Sequence, residues 1–157
     1  MLIKLYEEIH PDYIAVAFDK GRQTFRTEMY SEYKGNRPDA PEDLRPQFSL
    51  IQDVLKAMGI CVIEEEGFEG DDILGSLSKK FASSELAVQI IPGDRDNLKL
   101  VSDCSHVFLT KKGISDMLEI TLENMQDLYG YGPDKVIQMK ALMGDSSANI
   151  PGVPGVG

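Results

Sequence analysis

The chain has 157 residues, 42% of them apolar and 27% charged, and a formal net charge of −10. That length suits one domain with a real hydrophobic core, and the composition is ordinary for a globular chain. The balance speaks against a membrane helix, since no apolar run nears the roughly 20 residues one needs, and against a uniformly basic nucleic-acid surface.

Taken in order, LIKLYEEI places Leu2, Leu5, Tyr6 and Ile9 at helical spacing. Its acids sit where a secretory signal would be basic or apolar, so a cytoplasmic protein is expected. YIAVAF (13–18) reads as a buried strand that ends at Asp19. Residues 20–42 form a polar excursion rich in turn formers. DLRPQFSLIQDVLKAMG predicts a helix with Leu44, Ile51, Leu55 and Met58 on one face, stopped by Gly59.

ICVIEE is a second strand, and DDILGSLSKKF a helix with two acids in its first turn and Ile73, Leu74, Leu77 and Phe81 inward. AVQIIP and VFLT are further strands. TLENMQDLYG and PDKVIQMKALMG complete the set as helices, with Thr121 as a cap and Pro133 at a first helical position. Strands alternating with helices predict an α/β fold with a mostly parallel sheet. Cys61 and Cys104 share no metal or redox spacing and read as reduced thiols; His10 and His106 stand alone.

Ligands of an open parallel sheet sit beyond the carboxyl ends of its strands. Acids are placed there repeatedly: Asp19 after the first strand, Glu69, Asp71 and Asp72 after the second, Asp94 and Asp96 after the third, and Asp145 after the last helix. Each alone could be a helix cap or a solvated turn residue. Together they would repel, by about 4 kcal/mol for two carboxylates about 4 Å apart at an effective dielectric near 20. Hard divalent ions, Mg²⁺ or Mn²⁺, remove that repulsion and prefer oxygen donors. Two such ions roughly 3.5–4 Å apart serve phosphoryl hydrolysis by activated water. A P-loop is absent.

Residues 20–45 carry six bases and five acids, so the excess negative charge lies elsewhere. Within that segment TFRTEMYSEYKGNRP interleaves Arg26, Lys34 and Arg37 with Phe25, Tyr30 and Tyr33. Cations grip phosphates and rings stack on unpaired bases, so beside a metal site this segment reads as a nucleic-acid guide.

The combination AVAFD, TFR…Y..YK..RP, EGFEGDD, GDRDNLKLVS, LTKKG and ALMGDSSANIPGVPGVG resembles the 5′–3′ exonuclease domain of bacterial DNA polymerase I, in the flap endonuclease group with its PIN-like core. The resemblance runs over nearly the whole chain. It implies that Asp19, Glu69, Asp71, Asp72, Asp94, Asp96 and Asp145 are divalent-metal ligands, and that Lys34 and Arg37 engage the scissile phosphate or a threaded 5′ strand, with Arg26 and Tyr33 nearby. It further implies removal of 5′ nucleotides or flaps from DNA in primer removal and repair, with a linked polymerase.

By the same resemblance residues 1–144 are the nuclease core, and residues 145–157 begin a helix–hairpin–helix. There Gly152, Val153, Gly155 and Gly157 would offer amides to duplex phosphates. Three departures stand out. Position 148 carries Ala where the family has a further metal-binding Asp, which predicts a weaker second ion. The family's first strand, with an early Asp, would lie before Met1, and the helix–hairpin–helix would continue past Gly157; both are expected to be missing. Two other readings stay open: a DNA-binding remnant without metal chemistry, and a Mg²⁺-dependent phosphatase of small esters.

Overall fold

Branched apolar runs nucleate the strands, and the connections between them are helical. The computed structural model describes residues 2–111 and 117–156. It divides into two units. One holds the chain up to Ile73 together with Ser147–Asn149, and the other holds Leu74–Ser146 and the chain from Ile150 onward.

In the first unit helix α1 (Leu2–Ile9) precedes strand β1 (Ala15–Thr24). Strand β1 pairs in parallel with β2 (Cys61–Gly67), in register from Ala15↔Cys61 to Asp19↔Glu65. Parallel neighbours need a long crossover, and helices α2 (Phe25–Met29) and α3 (Arg45–Ala57) lie within it. Leu5, Leu55, Ile60 and Ile73 are buried.

The strand does not end at Asp19 as the apolar run suggested. Pairing resumes at Thr24↔Gly67 after an irregularity, so the strand runs on through exposed residues 20–23 to the buried Thr24. The polar excursion also contains α2, set by its own start: the Thr24 amide donates to Thr27 Oγ1 (3.0 Å), whose hydroxyl donates to the Thr24 carbonyl (2.7 Å). The face expected on α3 is buried at Leu55 alone, while Leu44, Ile51 and Met58 are 40%, 51% and 51% exposed.

Helix α4 (Gly70–Phe81) carries the chain past Ile73. In the second unit β3 (Val88–Ile90) pairs in parallel with β4 (Ser105–Thr110), and β4 pairs antiparallel with β5 (Met117–Ile120). Helices α5 (Leu122–Tyr129) and α6 (Val136–Met143) follow. Ile90, Leu98, Val101, Val107, Leu109, Ile120, Met125 and Val136 form the buried core, with Leu74 against it. Phe81, expected inward, is 46% exposed.

The Thr121 hydroxyl accepts from the Asn124 amide, as a cap should. Strand β5 was not foreseen: MLEI is four residues long and follows a turn-forming stretch. Lys112 and Gly113 of LTKKG, and Gly157, lie outside the described residues. The fold is α/β with parallel pairs in both units and one antiparallel edge, its described strands forming groups of two and three.

Candidate active site

In the first unit the carboxylates gather at the start of α4. Glu69 precedes the helix, and Asp71 and Asp72 lie in its first turn, where partial positive charge from unsatisfied amides favours anions. Asp72 Oδ2 accepts from the Glu69 amide at 3.0 Å, closing the N-terminus from within. The buried Gly70 amide donates to Asp19 Oδ1, which fixes the β1 acid against the same turn. Asp19 thus reaches the group from within a strand, not from beyond its end.

Three side chains of the basic segment converge on these acids. Arg26 of α2 grips Asp72 with two parallel bonds, Nη1 to Oδ2 at 2.6 Å and Nη2 to Oδ1 at 2.7 Å. Lys34 Nζ lies 2.9 Å from Glu69 Oε1, and the Tyr33 hydroxyl donates to Glu69 Oε2 at 3.2 Å. The hydrogen bond to Asp72 raises the Arg26 pKa against the opposing effect of burial. Burial, then the nearby Glu69 charge, raises that of Tyr33. Arg26 also stands over the Phe25 ring at 4.5 Å, and Lys34 over Tyr33 at 5.2 Å.

Lys34 holds a left-handed backbone, φ 54°, uncommon for a residue with a side chain. Its surroundings over-determine it. Its amide donates to the Ala148 carbonyl at 2.9 Å, and its carbonyl accepts from the Arg37 amide at 3.0 Å. Arg37 Nε donates to the Ser147 carbonyl (2.8 Å), and Asn149 Nδ2 to the Glu32 carbonyl (2.8 Å). Arg37 therefore anchors its own segment, while Arg26, Tyr33 and Lys34 meet the carboxylates. Ala148 is buried and enters this unit through its carbonyl.

The remaining acids belong to the second unit. Asp94 is exposed, and its Oδ1 accepts from the Asp96 amide at 2.9 Å, a local turn that starts the 3₁₀ segment Asp96–Leu100. Lys140 Nζ lies 2.6 Å from Asp96 Oδ1 and 2.9 Å from Asp145 Oδ2. Burial acts to lower the Lys140 pKa, but hydrogen bonds to Asp145 and Asp96 outweigh it and the net direction is up. Sequence reasoning missed this lysine. Its one clue is its place in the last turn of α6, where cations suit the helix end.

Asp145 is positioned by backbone closure. Its amide donates to the Ile150 carbonyl (2.8 Å), and the Ile150 amide returns the bond (2.9 Å). A Cβ on Gly152 would fall 2.1 Å from the Met143 carbonyl oxygen, and one on Gly144 would fall 2.3 Å from the Gly152 nitrogen, so the two strands of the loop pass at a distance that glycine alone permits. Val153 donates its amide to the Leu142 carbonyl at 2.8 Å. Gly152 and Val153, expected to face duplex phosphates, thus serve loop closure; Gly155 has a left-handed backbone, φ 82°.

Among the described residues no three or more His, Cys, Asp or Glu side chains are arranged to hold a metal ion. Glu69, Asp72, Asp96 and Asp145 are drawn instead to the chain's own cations, while Asp19 and Asp94 accept from backbone amides. Their chemistry nevertheless suits a hard divalent ion: the donors are carboxylate oxygens, and the imidazole of His106 is engaged with Glu119 at 2.8 Å.

Residues 1–130 match the model of the 5′-3′ exonuclease N-terminal resolvase-like domain. The chain belongs to that family. It is 44% identical over all 157 residues to DNA polymerase I of Bacillus caldotenax and 43% to that of Bacillus subtilis. It spans 18% of the length of each. A solved structure of the T5 5′-exonuclease with bound divalent zinc is similar at 28% identity and a TM-score of 0.79, over 99% of this chain and 60% of that one. The bacteriophage T5 flap endonuclease in a pseudo-enzyme-product complex with DNA and metal ions gives 25% identity and 0.76, over 99% and 60%. These likenesses agree with the nuclease family and PIN-like α/β fold read from the motifs, and no helix among the described residues is long and apolar enough to cross a membrane.

Proposed function

We propose that this chain is a metal-dependent 5′–3′ exonuclease and 5′-flap endonuclease domain that hydrolyses DNA phosphodiester bonds. The observation that carries it is the convergence of Arg26, Tyr33 and Lys34 on the carboxylates of Glu69 and Asp72. Phosphate-binding cations and metal-type donors then share one place, as hydrolysis of a phosphodiester requires.

In this reading Asp19, Glu69, Asp71 and Asp72 hold divalent ions in the first unit, and Asp94, Asp96 and Asp145 do so in the second, with Mg²⁺ or Mn²⁺ as the ions. When bound, such ions lower the pKa of an attacking water and neutralise charge on the leaving oxygen. The chain's own residues do the rest. Arg26 and Lys34 have carboxylate partners that a phosphate can replace, so they pass from acid to substrate and orient the backbone of a 5′ single strand. Tyr33 offers a ring for an unpaired base. Arg37 holds the Lys34 turn in shape. Residues 145–157 serve as the start of a duplex-binding element, through the amides near Gly155 and Gly157.

DNA ends or flaps are the substrate class, a linked polymerase is the partner, and the cytoplasm is the setting that follows from both. The test is a labelled 5′-flap DNA with Mg²⁺ or Mn²⁺. Cleavage abolished in D94N/D96N and in D71N/D72N supports the reading; cleavage that persists in both would overturn it. A second reading, a DNA-binding remnant, draws on buried Ala148, whose methyl offers no donor where the family resemblance implies an Asp. Ala148→Asp discriminates, because restored cleavage favours a weakened enzyme, and flap binding without cleavage favours the remnant.

A further inference from the structure

We infer that Lys140 is a resident counter-ion of the Asp96–Asp145 pair, which a divalent ion must displace in order to bind there. The inference rests on the metal reading above. One ammonium group bridges carboxylates from two elements, at 2.6 Å to Asp96 Oδ1 and 2.9 Å to Asp145 Oδ2. An ion held by the same two acids would compete with it for their oxygens.

The geometry makes the two occupants exclusive. Magnesium binds oxygen at about 2.0–2.1 Å in a near-octahedral shell, closer than any ammonium contact. Once both carboxylates turn to such an ion, an ammonium left between them faces like charge at short range. Lysine can leave without moving the backbone. It is a point charge on a flexible four-carbon stem, and its side chain is 43% exposed, against 15% for Asp145 and 33% for Asp96. The lysine side chain is the most exposed of the three. Its charge offsets the repulsion between the two acids, so the lysine keeps the pair assembled until a stronger cation arrives. The consequence is a lower affinity for the ion and a site that empties readily.

Titration calorimetry with Mn²⁺ on the folded chain tests this. Lys140→Met, its fold checked by circular dichroism, removes the competitor and should bind Mn²⁺ about tenfold more tightly than the wild type. Lys140→Arg keeps the charge and should bind no more tightly than the wild type. Equal or weaker Mn²⁺ binding by a folded Lys140→Met chain overturns the inference while leaving the metal reading intact. Absence of Mn²⁺ uptake by the wild type overturns both. An independent readout needs no variant: acetylation of Lys140 by a water-soluble reagent, followed by mass spectrometry, should rise several-fold on adding Mn²⁺. Unchanged labelling counts against displacement.

Discussion

Arg26 and Asp72, 46 residues apart, are joined by two parallel hydrogen bonds of 2.6 and 2.7 Å. The pair is part-buried, and Asp72 also closes the start of α4 through the Glu69 amide. Arg26→Met would leave the carboxylate without its fork. Stability should fall by about 1.5–3 kcal/mol, the range for hydrogen bonds to charged groups, read as a lower denaturant midpoint at unchanged slope. Arg26→Lys should recover part of that loss, because an ammonium cannot form both bonds in one plane.

Tyr33 carries a pH signature. Its phenol is raised above the ordinary tyrosine value by burial and by Glu69. A folded-state pKa above the unfolded one means that the native chain holds its proton longer. The stabilisation is therefore complete below about pH 10 and is lost as pH rises from there through the folded value. The alkaline limb of a stability–pH curve should be shallower for Tyr33→Phe than for the wild type, and phenolate absorbance should show one late-titrating group fewer. Identical limbs would contradict the assignment.

Gly152→Ala places a methyl 2.1 Å from the Met143 carbonyl oxygen, which is backbone and cannot rotate aside. The loop must open, at about 1–3 kcal/mol or more for overpacking. Hydrogen exchange at the Ile150 amide, which donates to Asp145, should accelerate. If both stability and exchange stay unchanged, the close crossing does not position Asp145.

Ile120 is fully buried in the core shared with Val107 and Met125. Ile120→Ala removes its bulk from a packed site and should cost about 2–5 kcal/mol. Thermal melting of the variant checks this against Ile137→Ala, where the side chain is 66% exposed and the change should be small.

The legibility of this chain in its sequence follows physical lines. YIAVAF and ICVIEE declare their strands because branched and aromatic residues fit a pleated backbone, although the strand expected to be buried is only partly so from Ala15 to Phe18. Thr121 declares its helix because its hydroxyl can cap. Residues 20–23 escaped because they are polar and exposed within their strand, and β5 because four residues are too short a pattern to read. The start of α4 was legible as an acid cluster, and Arg26, Tyr33 and Lys34 as a basic–aromatic run. That these two meet was not, since sequence spacing says nothing about contacts 46 or 36 residues apart. Lys140 was invisible for a related reason. One lysine on a helix resembles any surface lysine until the two acids beside it are known.

Ser147–Asn149 supply backbone and side-chain bonds to Lys34, Arg37 and Glu32, so the first unit is finished by residues translated long after its strands. At about 5–20 residues per second, the roughly 80 intervening positions separate the two events by about 4–16 s. During that interval on the ribosome the left-handed turn at Lys34 lacks its bond to the Ala148 carbonyl, and the Arg37 side chain lacks its anchor at Ser147.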